Sequence, residues 1–127
     1  MSKSKTPLIS VYITNHNYSD YIEEAVYSVL NQSLQDFELL IIDDGSTDSS
    51  KEKIKLFQDH EKVKIVFQEN KGLNSTNNIA IKKSTGKYVL RLDADDFLEK
   101  EALKHMSSEL INNKNLAMVF PDYFIVD

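Results

Sequence analysis

The chain of 127 residues contains no cysteine. Disulfides, thiolate nucleophiles and zinc–thiolate centres are thereby excluded, and the usage fits a reducing compartment. Long apolar runs are missing as well: none could span a bilayer, and the opening MSKSKTPLIS lacks the apolar core of a signal peptide. A cytoplasmic domain with no transmembrane segment is therefore expected, a location compatible with peripheral attachment to a membrane. Clustered cations are absent too. The 15 Lys and Arg are spread along the chain against 20 Asp and Glu, for a net charge of -5. That balance argues against nucleic acid as a partner, since phosphate backbones attract grouped Lys and Arg. An acidic protein can still hold a phosphate ligand through a metal ion. No internal repeat, low-complexity segment or interdomain linker divides the sequence. With 41% hydrophobic and 9% aromatic residues, it is expected to form one domain over 1–127 around one sizeable core.

What is present alternates between two periods. Leu8 to Thr14, Phe37 to Asp43, Val63 to Gln68, Tyr88 to Asp93 and Leu116 to Phe120 are short apolar runs, mostly rich in β-branched residues, and are expected to be strands. Between the first two, Ile22, Ala25, Val26, Val29 and Leu30 follow the spacing of a helix face, opened by Asp20 and Glu23 in a capping-box arrangement. Weaker helical patterns run over Ser49 to His60, Ser75 to Lys83 and Lys100 to Asn112. The resulting β-α alternation predicts an α/β fold, a mostly parallel sheet with helices on both faces.

In such sheets ligands sit beyond the carboxyl ends of the strands. There the sequence places TNHNYSD, DDGSTD, ENKGLN and DADD. Two acidic clusters, Asp43/Asp44/Asp48 and Asp93/Asp95/Asp96, would open on one edge and call for a cation. Residues two apart in a strand share a side, so Asp93 and Asp95 are expected together, with Arg91 before them on the same face and Tyr88, Leu90 and Leu92 on the other. Hard oxygen ligands of this kind suit magnesium or manganese bridging to a diphosphate. Plainer readings stand beside these. The acids of DADD could cap the following helix, Asp-Gly is a common turn with Ser46 or Thr47 as a helix cap, and Gly72 in NKG suits a turn with positive φ. His16 reads as a loop hydrogen-bonder, and His60 and His105 as surface residues.

Taken together, ISVYITNHNYSDYIEEAVYSVLNQSLQDFELLIIDDGSTDSS, then NKGLNSTNNIAI, then GKYVLRLDADDFLEKEAL resemble in order and spacing the family 2 inverting glycosyltransferases, which have the GT-A fold. The resemblance covers the chain from Leu8 onward. It implies a Rossmann-like half that binds a nucleotide-diphosphate sugar, UDP-linked, for transfer to a glycan or lipid-linked acceptor in cell-surface or extracellular glycan assembly. It further implies that Thr14 lines the base pocket, that Asp44 hydrogen-bonds the base, and that Asp93 contacts the ribose or diphosphate region. Asp95 would then coordinate the divalent metal.

Two departures stand out. Where the family commonly has Arg before an Asn and Gly two residues after it, this chain has Asn77 and Ala80. No residue matches the family's general base, so the chain is expected to stop before the acceptor-binding half. A binding domain without catalysis is one alternative. A response-regulator receiver also clusters acids around magnesium, but places the pair after its first strand, where this chain has Thr14. A haloacid-dehalogenase-type phosphatase needs DxDx[TV] after its first strand. Here the acids follow the fourth, and Phe97 stands in the Thr or Val place.

Overall fold

The computed structural model describes residues 6–112. Strands β1 (Ile9–Asn15), β2 (Phe37–Asp44), β3 (Val63–Gln68) and β4 (Tyr88–Asp93) alternate with helices α1 (Ile22–Leu30), α2 (Ser50–Lys55), α3 (Leu73–Lys83) and α4 (Ala102–Asn112). All pairings are parallel, in the order β3-β2-β1-β4. The chain winds outward from β1 through β2 to β3, then returns to the other side of β1 with β4. Strand order therefore reverses between β1 and β4, the place where such sheets open a crevice. The expected strand from Leu116 to Phe120 lies outside the described residues.

Strand alternation divides the interior in two. Ile9, Val11 and Ile13 of β1 and Phe37, Leu39 and Ile41 of β2 pack with Ile22, Ala25, Val26 and Val29 of α1, Ile54 of α2, and Leu103 and Met106 of α4. On the opposite face Tyr12, Leu40 and Ile42 meet Ala80 of α3, flanked by Val66 and Ile79. Helices therefore cover both faces, as the β-α alternation implies. Every residue of β2 is buried, which explains why Leu39 to Ile42 run apolar without alternation.

The helix ends depart from expectation. No side chain caps α1. Instead the Tyr18 carbonyl accepts the N–H groups of both Tyr21 and Ile22, so a backbone turn does what the Asp20/Glu23 box was expected to do. Glu23 lies 3.8 Å from Lys53 instead. Helix α2 is shorter than the pattern from Ser49 to His60, with its N-cap at Ser49 and not at Ser46 or Thr47. Beyond it the chain continues in turns that still bury Phe57, while Leu56 is 72% exposed.

At the end of the sheet away from the crevice, Glu38 is a buried ionic hub, 6% exposed. It accepts the Ser10 hydroxyl, the Thr85 N–H at 2.7 Å, the Thr85 hydroxyl at 2.9 Å and the Lys64 ammonium at 2.9 Å. Burial pushes its pKa up, but the bonds from Ser10, Thr85 and Lys64 outweigh it and bring the carboxyl from 4.5 down to about 2. A depression of that size corresponds to roughly 3 kcal/mol of stability. Because the folded value lies below the unfolded one, this stability is present above about pH 4.5 and is lost as pH falls toward 2. Glu38→Gln is expected to lower the urea midpoint at neutral pH and to flatten its fall between those two pH values. An unchanged acid limb in the variant would rule out Glu38 as its source.

Candidate functional site

The register aligns Thr14 with Ile42 on β2 and with Asp93 on β4. Counting by twos, Thr14, Asp44 and Asp93 all emerge on the α3 side at the carboxyl ends of their strands. They meet in a cleft of about 390 Å³, whose lining also includes Asn15, His16, Tyr18, Asn70, Leu73, Thr76 and Asp95. The four residues singled out in the sequence, Thr14, Asp44, Asp93 and Asp95, are therefore brought to one cavity.

Neighbouring acids take opposite roles. Asp43, fully buried, faces the α1 side and accepts Asn15 Nδ2 at 2.8 Å, the Ser46 N–H at 3.0 Å and the Ser46 hydroxyl at 2.6 Å. It closes the turn that Gly45 makes at φ 72°. Asp44, 7% exposed, faces α3. It receives Gln68 Nε2 at 2.8 Å and the N–H groups of Lys71 and Gly72 at 2.7 and 3.0 Å. Burial raises its pKa, yet these bonds, with a smaller contribution from His16, hold it below the usual carboxylate range. Asp48 turns to a third set of partners, the N–H groups of Ser19 and Ser50. The acids on and after β2 thus form three separate hydrogen-bonded anions and not one cluster, so among the described residues only the group after β4 gathers carboxylates that could hold the expected cation.

That group is compact. One carboxylate oxygen from each of Asp93, Asp95 and Asp96 lies within 4.8 Å of the others. Strand alternation was expected to join Asp93 to Asp95, but β4 ends at Asp93 and Ala94 and Asp95 lie in the turn that follows, so the turn and not the strand brings Asp95 beside Asp93. Asp96 is added because β4 ends at Asp93 and a turn follows, closed by the Asp96 N–H on the Asp93 carbonyl at 2.9 Å. Asp93 Oδ1 is steadied by Thr14 Oγ1 at 3.4 Å and by Arg91 Nε at 3.4 Å. The Arg91 pair is about two-fifths exposed on each side, so it orients more than it stabilises. Burial first, then the charges of Asp95 and Asp93, raise the pKa of Asp96. Three hard oxygen donors that repel one another fit magnesium or manganese. The acids do not cap α4, which starts at Ala102.

Several contributors escaped the sequence reading. Gln68, Lys71 and Thr76 build the seat of Asp44, for Gln68 Nε2 also reaches Thr76 Oγ1 at 2.9 Å. Gly72 takes the expected positive φ, at 90°, and presents its N–H to the same carboxylate. His16 is the loop hydrogen-bonder it was expected to be, with Nδ1 2.7 Å from the Asp44 carbonyl oxygen, yet it also lines the cleft. Asn77, in the place of the family's Arg, receives the Tyr12 hydroxyl at 3.1 Å, and Ala80 is fully buried against the sheet. A polar i, i+65 pair of this kind leaves no local signal in sequence.

The sequence profile of Glycosyl transferase family 2 matches residues 10–127. A hyaluronan synthase from Pasteurella multocida is 39% identical over 118 residues, which is 92% of this chain and 12% of that protein. The chain therefore spans a small part of that relative. S. aureus TarS 1-349, in complex with UDP-GlcNAc, superposes with a TM-score of 0.75 at 29% identity, over 82% of this chain and 31% of that one. A mannosyltransferase from Pyrobaculum calidifontis, in complex with GDP-Man and Mn2+, gives a TM-score of 0.76 at 22% identity, over 84% and 33%. That last likeness speaks to the fold.

Proposed function

The chain belongs to glycosyl transferase family 2, and from that membership we propose that its cleft binds a nucleoside-diphosphate sugar, UDP-linked, as the donor part of an inverting glycosyltransferase. The observation that carries this reading is the convergence of Thr14, Asp44 and Asp93 on one side of the sheet, with Asp95 and Asp96 completing an acidic group beside them. The TarS complex with UDP-GlcNAc supports the choice of a uridine donor. Asp44, kept ionised by its three donors, retains unused acceptor capacity on Oδ2 for a base N–H. Thr14 borders the same pocket, and Asp93 faces the ribose or diphosphate.

Asp95, with Asp93 and Asp96, would hold magnesium or manganese, and a bound cation would supply charge neutralisation for the departing diphosphate. The chain's own residues bind and orient the donor. The acceptor, a glycan or lipid-linked glycan, and the base that deprotonates its hydroxyl belong to residues outside this cleft. A second reading, donor binding without transfer, draws on Asn77, which offers no positive charge to a diphosphate and is engaged with Tyr12.

Calorimetric titration of UDP into the chain, with and without manganese and repeated on Asp95→Asn, tests the proposal. Binding is expected to need the metal and to weaken at least roughly tenfold in the variant, since disturbing even an outer-shell partner of a metal has about that effect. No UDP binding under either condition would refute the donor assignment.

A further inference from the structure

We propose that Asn17 is a positioning residue for this cleft: its carboxamide locks the β1–α1 loop to the β2–α2 loop and sets the His16 ring as a fixed wall. The inference rests on the donor reading above. Asn17 has φ 61°, a left-handed conformation that non-glycine residues seldom adopt and that asparagine tolerates best. In that conformation its own N–H donates to Ser46 Oγ at 2.9 Å. Its Oδ1 accepts the N–H groups of Thr47 at 2.7 Å and Asp48 at 3.3 Å. One exposed side chain thus closes the backbone of the neighbouring loop.

The orientation of that carboxamide has a second effect. With Oδ1 committed to the Thr47 loop, Nδ2 lies 3.4 Å from His16 Nε2. On its other side the His16 ring places Nδ1 2.7 Å from the Asp44 carbonyl oxygen. A carbonyl can only accept, so Nδ1 carries the proton and Nε2 is left as an acceptor facing Asn17. The ring is thereby held between the backbone of a cleft residue and the clamp. Beneath it, Asn15 and Asp43 tie down Ser46, the group that receives the Asn17 N–H. A wall fixed before the ligand arrives removes part of the ordering cost of binding.

Asn17→Gly isolates the carboxamide, because glycine keeps the positive φ without steric cost. In the full chain with manganese present, UDP affinity is expected to fall roughly tenfold, the effect of one or two lost hydrogen bonds. The melting temperature is expected to stay within a few degrees, Thr47 amide exchange to accelerate, and the His16 Nε2 shift to move as its Nδ2 partner is lost, while Nδ1 keeps its proton on the Asp44 carbonyl. Asn17→Asp keeps the acceptor for Thr47 and Asp48 but has no Nδ2, so amide protection should survive while the His16 Nε2 shift still moves. Wild-type affinity and an unchanged His16 Nε2 shift in the glycine variant would overturn the proposal. Were the wild-type chain to bind no UDP, the donor reading would fall, and the His16 Nε2 shift with Thr47 exchange would still decide the clamp: no difference from the glycine variant refutes it.

Discussion

Gly45→Ala is expected to cost roughly 2–4 kcal/mol of stability and to remove most UDP binding, because two penalties coincide at this turn. The backbone stands at φ 72°, and a Cβ built there would lie 2.6 Å from the Asn70 nitrogen and 3.1 Å from its Cα. The obstacle is main chain and cannot swing aside. Asn70 leads directly into Lys71 and Gly72, whose N–H groups hold Asp44, so displacement passes into the cleft. Gly72→Ala is the matched control. Its φ of 90° with ψ 166° is nearly reserved for glycine, but a Cβ there meets nothing within 4 Å, leaving strain of about 1–3 kcal/mol and a smaller loss of binding. Thermal unfolding and UDP titration of both variants separate the effects. Equal losses in the two would refute the clash as the cause.

Asp44→Ala is expected to abolish measurable UDP binding and to destabilise the chain by roughly 2–4 kcal/mol. Three donors converge on this carboxylate. Its removal leaves two backbone N–H groups and one amide without their acceptor, so the β3–α3 loop loses its anchor along with the ligand contact. Asp48→Ala provides a contrast. That side chain joins Ser19 to Ser50 on the α1 side and does not line the cleft, so its loss should lower stability with little change in affinity once the chain is folded. Retained UDP binding in Asp44→Ala would remove this residue from the donor site.

The strands were legible because β-branched runs of the right length leave few alternatives, and parity along them foretold that Asp93 and Arg91 would lie side by side. What parity could not tell was which side of β2 would carry the crevice. Asp43 and Asp44 are the same residue type one position apart, and only the placement of α3 decides that the second lines the cleft. Asp96 joined the acidic group because the strand stopped and turned, an event that alternation does not encode. The Asp20/Glu23 box failed for a related reason: a carbonyl in the preceding turn satisfied the helix N–H groups first. Asn15, Asn17 and Ser46 stand in the segments TNHNYSD and DDGSTD, but their bonds from one loop to the other had no local signal, since those partners lie 28 to 31 positions away.

The two-sidedness of β2 bears on how such a domain can diverge. Near its end, Asp43 of one parity anchors the turn toward α2, while Asp44 of the other borders the cleft and anchors the β3–α3 loop, so the two sides of the sheet are served by interleaved positions of one strand. Substitution at Asp43 is therefore expected to loosen the β2–α2 turn, and substitution at Asp44 the cleft wall and the β3–α3 loop. Insertion or deletion of a single residue there exchanges the two sets at once. Lineages of this domain are therefore expected to keep the length of β2 and to vary in length in the loops around it.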